Sequence, residues 1–162
     1  MPSKSSLDRT VEAYARTIVS RNVLVWRYGL SPNTQNRLKK LKYRVNEKEY
    51  QSRYQDYPAV VVSCSNSISS CDSWSDYAHS CKKNTYVDRL KLALLKLGNL
   101  GKKSSNGCKN AIGHCAENHA ANRVLKKHGS TGCKQLVFSK AIRPRTGEII
   151  PYCDNCKTIF ML

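Results

Sequence analysis

The chain has 162 residues, the length of one domain, and its 40% hydrophobic and 24% charged residues argue against a largely disordered protein. It carries 28 Lys and Arg against 11 Asp and Glu, a formal net charge of +17 that is spread along the sequence. No uncharged apolar run approaches the roughly 18 residues of a membrane span. A domain this basic tolerates its own repulsion best beside a polyanion. We therefore expect nucleic acid as the partner, and no membrane.

The N-terminal third is basic and is predicted to be mainly helical. Apolar residues recur at helical spacing over residues 7–20, which predicts an amphipathic helix. Residues 23–26 either continue its apolar face or start a strand, and residues 36–57 predict a helix rich in Lys, Arg and Tyr. The sequence does not open with a secretory signal. An intracellular site of action is expected, with export by a signal-independent route as the alternative.

The central part of the chain is predicted to contain one strand and one helix. Residues 59–64 (AVVVSC) are β-branched and nearly all apolar, the pattern of a buried strand. Residues 63–80 are rich in Ser, Asn and Asp and predict a loop. An apolar stripe over residues 85–97 predicts a helix, which Thr85 and Asp88 would start as a capping box.

The last third has the most clearly marked elements. A helix begins at Cys115, and a basic last turn and Gly129 end it. Residues 135–142 (QLVFSKAI) predict a strand, residues 143–150 predict a loop, and a last short helix or turn begins near Cys153. The order of these elements predicts an α/β domain with helices packed on a small sheet.

Two short motifs combine metal-ligating residue types with helix starts. Cys115-Ala116-Glu117 opens one helix, and Cys153-Asp154-Asn155-Cys156 opens the next. A Cys-x-x-Cys pair can bind one zinc ion from a single turn. If the two helix N-termini are adjacent, three thiols meet and leave the fourth zinc position open, as catalytic sites do. Glu117 would then lie beside a metal-bound water without binding the metal.

Cys-Ala-Glu, a strand and then Pro-Tyr-Cys-x-x-Cys together resemble the zinc-dependent cytidine deaminase-like superfamily, in the variant whose first ligand is Cys instead of His. Residues 113–156 look most like its toxin-type nucleic-acid deaminases. The resemblance implies a three-layer α/β/α sandwich with a small, C-terminally shortened sheet. The chain departs from the family pattern at Tyr152, which separates Pro151 from the first Cys. It also shows one clear strand before Cys115 where the family has a hairpin.

The resemblance implies one deaminase-like domain over residues 1–162, with a basic helical extension at 1–57 and a catalytic core at 58–162. It implies that Glu117 moves protons and that one zinc ion is bound by Cys115, Cys153 and Cys156. The implied reaction is hydrolytic deamination of cytosine to uracil, in which zinc-bound water attacks the amine-bearing ring carbon. With the charge, this favours DNA as substrate, with RNA as the alternative. For a toxin, an immunity or inhibitor protein would be a further partner.

Further residues are candidates for substrate contacts or for charge balance. Three thiolates on Zn²⁺ leave a net charge of −1, which helix N-termini and one of His114, His119 or Arg123 would offset. Each histidine could instead have a packing role. Other candidate contacts lie in the loop before the Cys115 helix, where the lysines are expected to reach phosphate: Lys102, Lys103, Lys109 and Asn110.

Two other functions fit the same residues. Cys153 and Cys156 could be half of a structural zinc site that Cys108 and Cys115 complete, with Cys133 as a spare, in a basic nucleic-acid-binding module. The protein could also deaminate a free nucleoside or nucleotide, and salt would then have little effect. The remaining cysteines are predicted to be small buried residues or, in an exported protein, to include a disulfide: Cys64, Cys71 and Cys81.

Overall fold

The computed structural model describes residues 3–22, 59–67, 73–80, 85–144 and 147–162. The helices of this described part are α1 Lys4–Asn22, α2 Asp88–Leu95, α3 Ala116–Lys127 and α4 Asp154–Phe160. Its strands are β1 Val61–Asn66, β2 Ser73–Tyr77, β3 Leu136–Phe138, β4 Ala141–Ile142 and β5 Ile149–Ile150, and a 3₁₀ turn at Cys133–Gln135 precedes β3. The predicted α/β class is confirmed.

Some predictions fall outside the described residues. They are the strand or helix at 23–26, the helix at 36–57, and the state of Cys71 and Cys81. Within the described ranges, no helix combines the length and the apolar character that crossing a bilayer requires.

The strands form one small antiparallel sheet in which β1 is the central strand. β1 pairs with β2, β3 and β4, and β5 extends the sheet beyond β4. Cys64 of β1 therefore lies between Trp74 of β2 and Phe138 of β3. Every residue of β1 is buried, as the run of apolar residues at 59–64 predicts.

Neighbouring residues of β1 belong to different hydrophobic clusters, because side chains alternate between the two faces of a strand. Val61 packs with Val11 and Ala15 of α1. Val62 and Cys64 pack in a larger cluster to which α2, α3 and α4 all contribute. Helix α1 and the other three helices therefore contact the sheet through different faces.

The prediction of a loop over residues 63–80 is wrong. Strand β1 continues to Asn66, and β2 pairs with it as the second strand of a hairpin. Its sequence, SWSDY, is polar because β2 is only partly buried. The hydroxyl groups of Ser63 and Ser75 pair across the two strands at 2.6 Å, so serine is used here as a strand residue.

The single strand predicted over residues 135–142 is divided into β3 and β4. Ser139 separates them and stays attached to β1, because its Oγ accepts the N–H of Ser63 at 2.8 Å and its own N–H donates to the Ser63 carbonyl at 2.8 Å. The loop predicted over residues 143–150 also needs correction, since it ends in β5.

Helix α2 receives its N-terminal cap from α3. Its N-cap residue, Val87, offers no side-chain hydrogen bond, so the capping box predicted from Thr85 and Asp88 is wrong. The buried Asn122 replaces it: Oδ1 accepts the N–H of Val87 at 2.9 Å, and Nδ2 donates to the Thr85 carbonyl at 2.8 Å. The start of α2 is therefore fixed by tertiary structure.

Helix α2 in turn caps the end of α3 through Arg89. Its guanidinium group donates to the carbonyls of Leu125, His128 and Thr131 at 2.5–2.9 Å. The last carbonyls of a helix have no partner within it, and a cation there also complements the helix dipole. The start of α2 is therefore held against the C-terminal half of α3.

We expect Arg89→Ala to lower the free energy of unfolding by about 2 kcal/mol, because it leaves several partly buried carbonyls without a donor. Urea unfolding followed by circular dichroism measures this. The exposed Lys96, just after the same helix, supplies the control, and Lys96→Ala should change stability by less than about 0.5 kcal/mol. Equal effects of the two substitutions would contradict the capping role of Arg89.

Candidate metal centre and active site

Three cysteine sulfurs lie together where α3 and α4 begin. Cys115 is the N-cap of α3, Cys153 is the N-cap of α4, and Cys156 lies in the first turn of α4. Their Sγ atoms are all within 4.8 Å of one another, and those of Cys115 and Cys153 are 3.4 Å apart. Sulfurs in a tetrahedral site with bonds of 2.3 Å would be about 3.8 Å apart. The three residues could therefore hold a metal ion.

The local backbone explains how the sulfurs meet. Both N-cap residues are extended, with ψ of 149° at Cys115 and 162° at Cys153, and neither side chain caps its own helix. Their carbonyls accept the first helical N–H groups, from Asn118 at 3.1 Å and from Lys157 at 3.0 Å. Each thiol is thus available to the other, and one turn of α4 brings the third sulfur to the same place.

Hydrogen bonding within the cluster shifts the pKa values of the three thiols in different directions. Thiol hydrogen bonds from Cys115 and then Cys156 lower the pKa of Cys153, and a bond from the Asn110 side chain adds to this. The other two thiols have raised pKa values. The bond with Cys153 is the largest cause at Cys115, and the bond with Cys115 is the largest cause at Cys156. A metal ion would displace the shared protons, because thiolates are the ligating form.

Glu117 lies beside the cluster but is not a member of it. It is in the first turn of α3 and only 5% exposed. Burial raises the pKa of its carboxyl group to about 7, while a hydrogen bond with Cys156 acts in the opposite direction. A divalent cation on the sulfurs would favour the carboxylate form and oppose the effect of burial.

A pocket of about 330 Å³ opens next to the cluster. Cys115, Glu117 and Cys153 all contribute to its lining. Apolar residues from the start of β1, the end of β2 and the segment before α4 form much of the remaining wall, among them Val60, Ala78 and Ile150. A mostly apolar pocket with a few convergent polar groups is the usual form of a small-molecule site.

The candidate substrate contacts divide into two groups. Three of them line the pocket: Lys109, Asn110 and His114. The described pocket lining does not include the other three: Lys102, Lys103 and His119. The two lysines are exposed in the same loop as Lys109, where Lys103 forms an isolated bridge with Ala111.

His119 lies behind the pocket and contacts the segment after β2 and Tyr86, just before α2. It is 3% exposed; its Nε2 bonds to the His79 carbonyl at 2.7 Å, and its ring stacks on that of His79 at 3.5 Å. Its Nδ1 is 3.4 Å from the hydroxyl of Tyr86, which donates to the Gly113 carbonyl. The His79 N–H donates to the carbonyl of His114 at 3.1 Å. Burial lowers the pKa of His119, which favours the neutral ring.

Two residues that sequence reasoning did not select support the ligand turn. The hydroxyl of Tyr152 donates to the Ser139 carbonyl at 2.6 Å, which attaches the inserted residue to the sheet. Asn155 is 1% exposed, and its Oδ1 accepts from Ser104 at 3.0 Å and from Asn106 at 3.1 Å. Asn in a first helical turn usually bonds locally, so the sequence carried no signal for these long-range contacts.

The other cysteines of the described part lie outside the cluster. Cys108 is buried, and Cys133 is half-buried with its sulfur 3.9 Å from the Arg89 carbonyl. Neither joins the three sulfurs within the described ranges. The Cys₄ site of the structural-zinc alternative is therefore not formed with Cys108 or Cys133.

Comparisons of the chain with protein families, with curated proteins and with solved structures found no match. The chemistry of the site itself therefore has to carry a functional assignment.

We expect Cys115→Ser, Cys153→Ser and Cys156→Ser each to reduce bound metal from one ion per chain to a small fraction, because a thiolate corner is lost. Metal analysis of the purified variants measures this, and Co²⁺ loading adds a sulfur-to-metal charge-transfer band as an independent signal. Cys108→Ser and Cys133→Ser are the matched controls and should retain the metal. Metal loss in either control would support the structural Cys₄ site.

Proposed function

We propose that the protein is a zinc-dependent hydrolytic deaminase that converts cytosine to uracil in nucleic acid, with DNA as the favoured substrate. The observation that supports this most is the convergence of three sulfurs and the buried carboxyl group of Glu117 beside one pocket. Cytosine plus water gives uracil plus ammonia, so the reaction needs no other reactant.

The donor set supports zinc as the metal. Thiolates are soft ligands that suit Zn²⁺ and not Mg²⁺ or Ca²⁺, which take oxygen ligands. Cys115, Cys153 and Cys156 would hold the ion, and three protein ligands beside a pocket correspond to a catalytic rather than a structural zinc site. When bound, zinc supplies the Lewis acidity that makes a water molecule nucleophilic near neutral pH.

Glu117 is the residue proposed to move protons. Its carboxylate oxygen would take one proton from the attacking water and give it to the ring nitrogen of cytosine. It would then take the second proton of that water and give it to the amine, which leaves as ammonia. Its position supports this role because it lines the pocket, contacts Cys156 and is not a member of the sulfur cluster. Its burial limits competing exchange with bulk water.

The remaining pocket residues suit a planar base. Val60, Ala78 and Ile150 offer apolar surface to the ring faces, while Asn110 and His114 are the polar side chains available to its edge. A base in a polynucleotide would reach this pocket from a single strand or after flipping out of a duplex.

We also propose that the fold is the three-layer α/β/α sandwich of this superfamily, in one domain with its catalytic core at residues 58–162. The packing of α1 and α2–α4 against different faces of the sheet supports it, as does the hairpin of β1 and β2 before Cys115. An intracellular site of action and, for a toxin, an immunity protein as partner stay predictions from the resemblance.

The lysines near the pocket support a polynucleotide over a free nucleoside. Lys109 lines the pocket, and Lys102 and Lys103 are exposed in the same loop. None of the three forms an ion pair with an acidic residue of the described ranges. Unpaired cations gain affinity for phosphate through counterion release.

Glu117→Ala and Glu117→Gln test the reaction itself. Both variants should retain one zinc per chain and lose cytosine deamination by about 10³-fold, since neither side chain can accept the proton. The substrates are mixed single- and double-stranded DNA and RNA, and deep sequencing detects uracil. Glu148→Gln, at an exposed carboxyl group paired with Arg143, is the control.

Equal uracil formation by the wild type and the Glu117 variants would contradict the proposal. A wild-type protein that forms uracil on none of the substrates would contradict it as well. Conversion of free cytidine without preference for a polynucleotide would favour the nucleoside deaminase.

Replacement of the loop lysines by Ala, in one variant, should weaken binding of single-stranded DNA and flatten the slope of log K against log salt by about 2, because each phosphate contact contributes about 0.7. Fluorescence anisotropy over a salt series measures both. The matched control removes three exposed lysines away from this loop: Lys126, Lys127 and Lys134. The first two end α3, about 18 Å from Cys115. An equal loss in both variants would mean that binding is not directed to the pocket.

A further inference from the structure

Asn155 connects the metal-binding turn to the loop that precedes α3. It stands inside the Cys-Asp-Asn-Cys motif and is 1% exposed. Its Oδ1 accepts hydrogen bonds from Ser104 Oγ at 3.0 Å and from Asn106 Nδ2 at 3.1 Å, and its Nδ2 donates to the Asn110 carbonyl at 3.3 Å. One amide group therefore uses both of its ends on the same distant loop.

The loop depends on these side-chain contacts. Lys102 and Ile112 pair at the base of the loop, where Lys103 and Ala111 form an isolated bridge, and the hydrogen bonds described farther along the loop involve side chains. Inside the loop, Asn106 Oδ1 accepts a hydrogen bond from the Cys108 N–H at 2.9 Å. Asn106 therefore links Cys108 to Asn155. Without Asn155, the polar contacts described for Ser104 and Asn106 are local ones.

The same loop is attached directly to the turn that carries the cysteines. The carbonyl of Asn110 accepts from Asn155, which precedes Cys156 in the first turn of α4. Asn110 and its neighbour Lys109 also line the pocket. Any change in the order of the first turn of α4 is therefore transmitted to two residues at the pocket.

We propose that Asn155 is a positioning residue that fixes residues 104–110 on the metal-binding turn, so that metal binding to the cysteines orders this loop. The role of Lys109 toward substrate rests on the proposed function, whereas the coupling of loop and metal does not. Because coupling is reciprocal, a polynucleotide that binds the ordered loop should also raise the affinity for the metal.

Limited digestion with trypsin tests the coupling without reference to catalysis. Cleavage after Lys103 and Lys109 requires local opening of the loop, and mass spectrometry follows those fragments separately from all others. With one zinc per chain retained, Asn155→Ala and Asn106→Ala should speed both cleavages about tenfold. Asn155→Asp keeps the two acceptor contacts and loses the donor, so its effect should be intermediate.

Removal of zinc by a chelator completes the test. It should speed loop cleavage about tenfold in the wild type and add little in Asn155→Ala, where the connection is already lost. Thr158→Ala removes an exposed local bond on the same helix and is the control, with cleavage unchanged. If Asn155→Ala does not fold, the test uses Asn106→Ala, which leaves the residues of α4 unchanged.

Loop cleavage within twofold of wild type in the Ala variants at full zinc occupancy would overturn the inference, and so would an equal response of wild type and Asn155→Ala to chelation. On an oligonucleotide substrate, the Asn155→Ala variant should show KM raised about tenfold with kcat within twofold. If the wild type deaminates nothing, the proposed function fails while the digestion still decides the role of Asn155.

Discussion

The close approach of three thiols at two helix N-termini is the constraint on which the site depends. Thiolates this close repel one another, so the cluster must share protons or bind a cation. The protein meets this demand with extended N-cap residues at Cys115 and Cys153, which leave both sulfurs available to each other. The positive ends of the two helices then lie beside the sulfurs and favour their ionised form.

Long-range polar contacts keep the two helix starts where the cluster needs them. Asn122 and Arg89 fix the C-terminal half of α3 against the start of α2, and the hydroxyl of Tyr152 attaches the segment before α4 to the sheet. Such groups are costly to bury without partners, so each of them specifies one arrangement of the elements. The positions of the three cysteines therefore depend on contacts remote from the motif.

The sequence predicted the elements whose own residues define them and missed those defined by partners. Periodicity and end signals located α3, and the apolar run at 59–64 located β1. Strand β2 was missed because SWSDY is polar and lies at the edge of the sheet, and the capping box was wrong because Asn122 caps α2 from another helix. The three clustered cysteines were anticipated from motif spacing, whereas the contacts of Asn155 depend on a loop about fifty residues away.

Two of the side chains that the sequence offered, besides the helix N-termini, to offset the charge of the cluster have other partners. Arg123 forms an ion pair with Asp76 at 3.5 Å and lies over Trp74, and His119 is engaged with His79. The pKa of Cys153 is lowered instead by hydrogen bonds from the thiols of Cys115 and Cys156, and then by the N–H of Cys156 and the side chain of Asn110. Neutral dipoles of this kind lower the energy of a thiolate without placing a cation in the pocket.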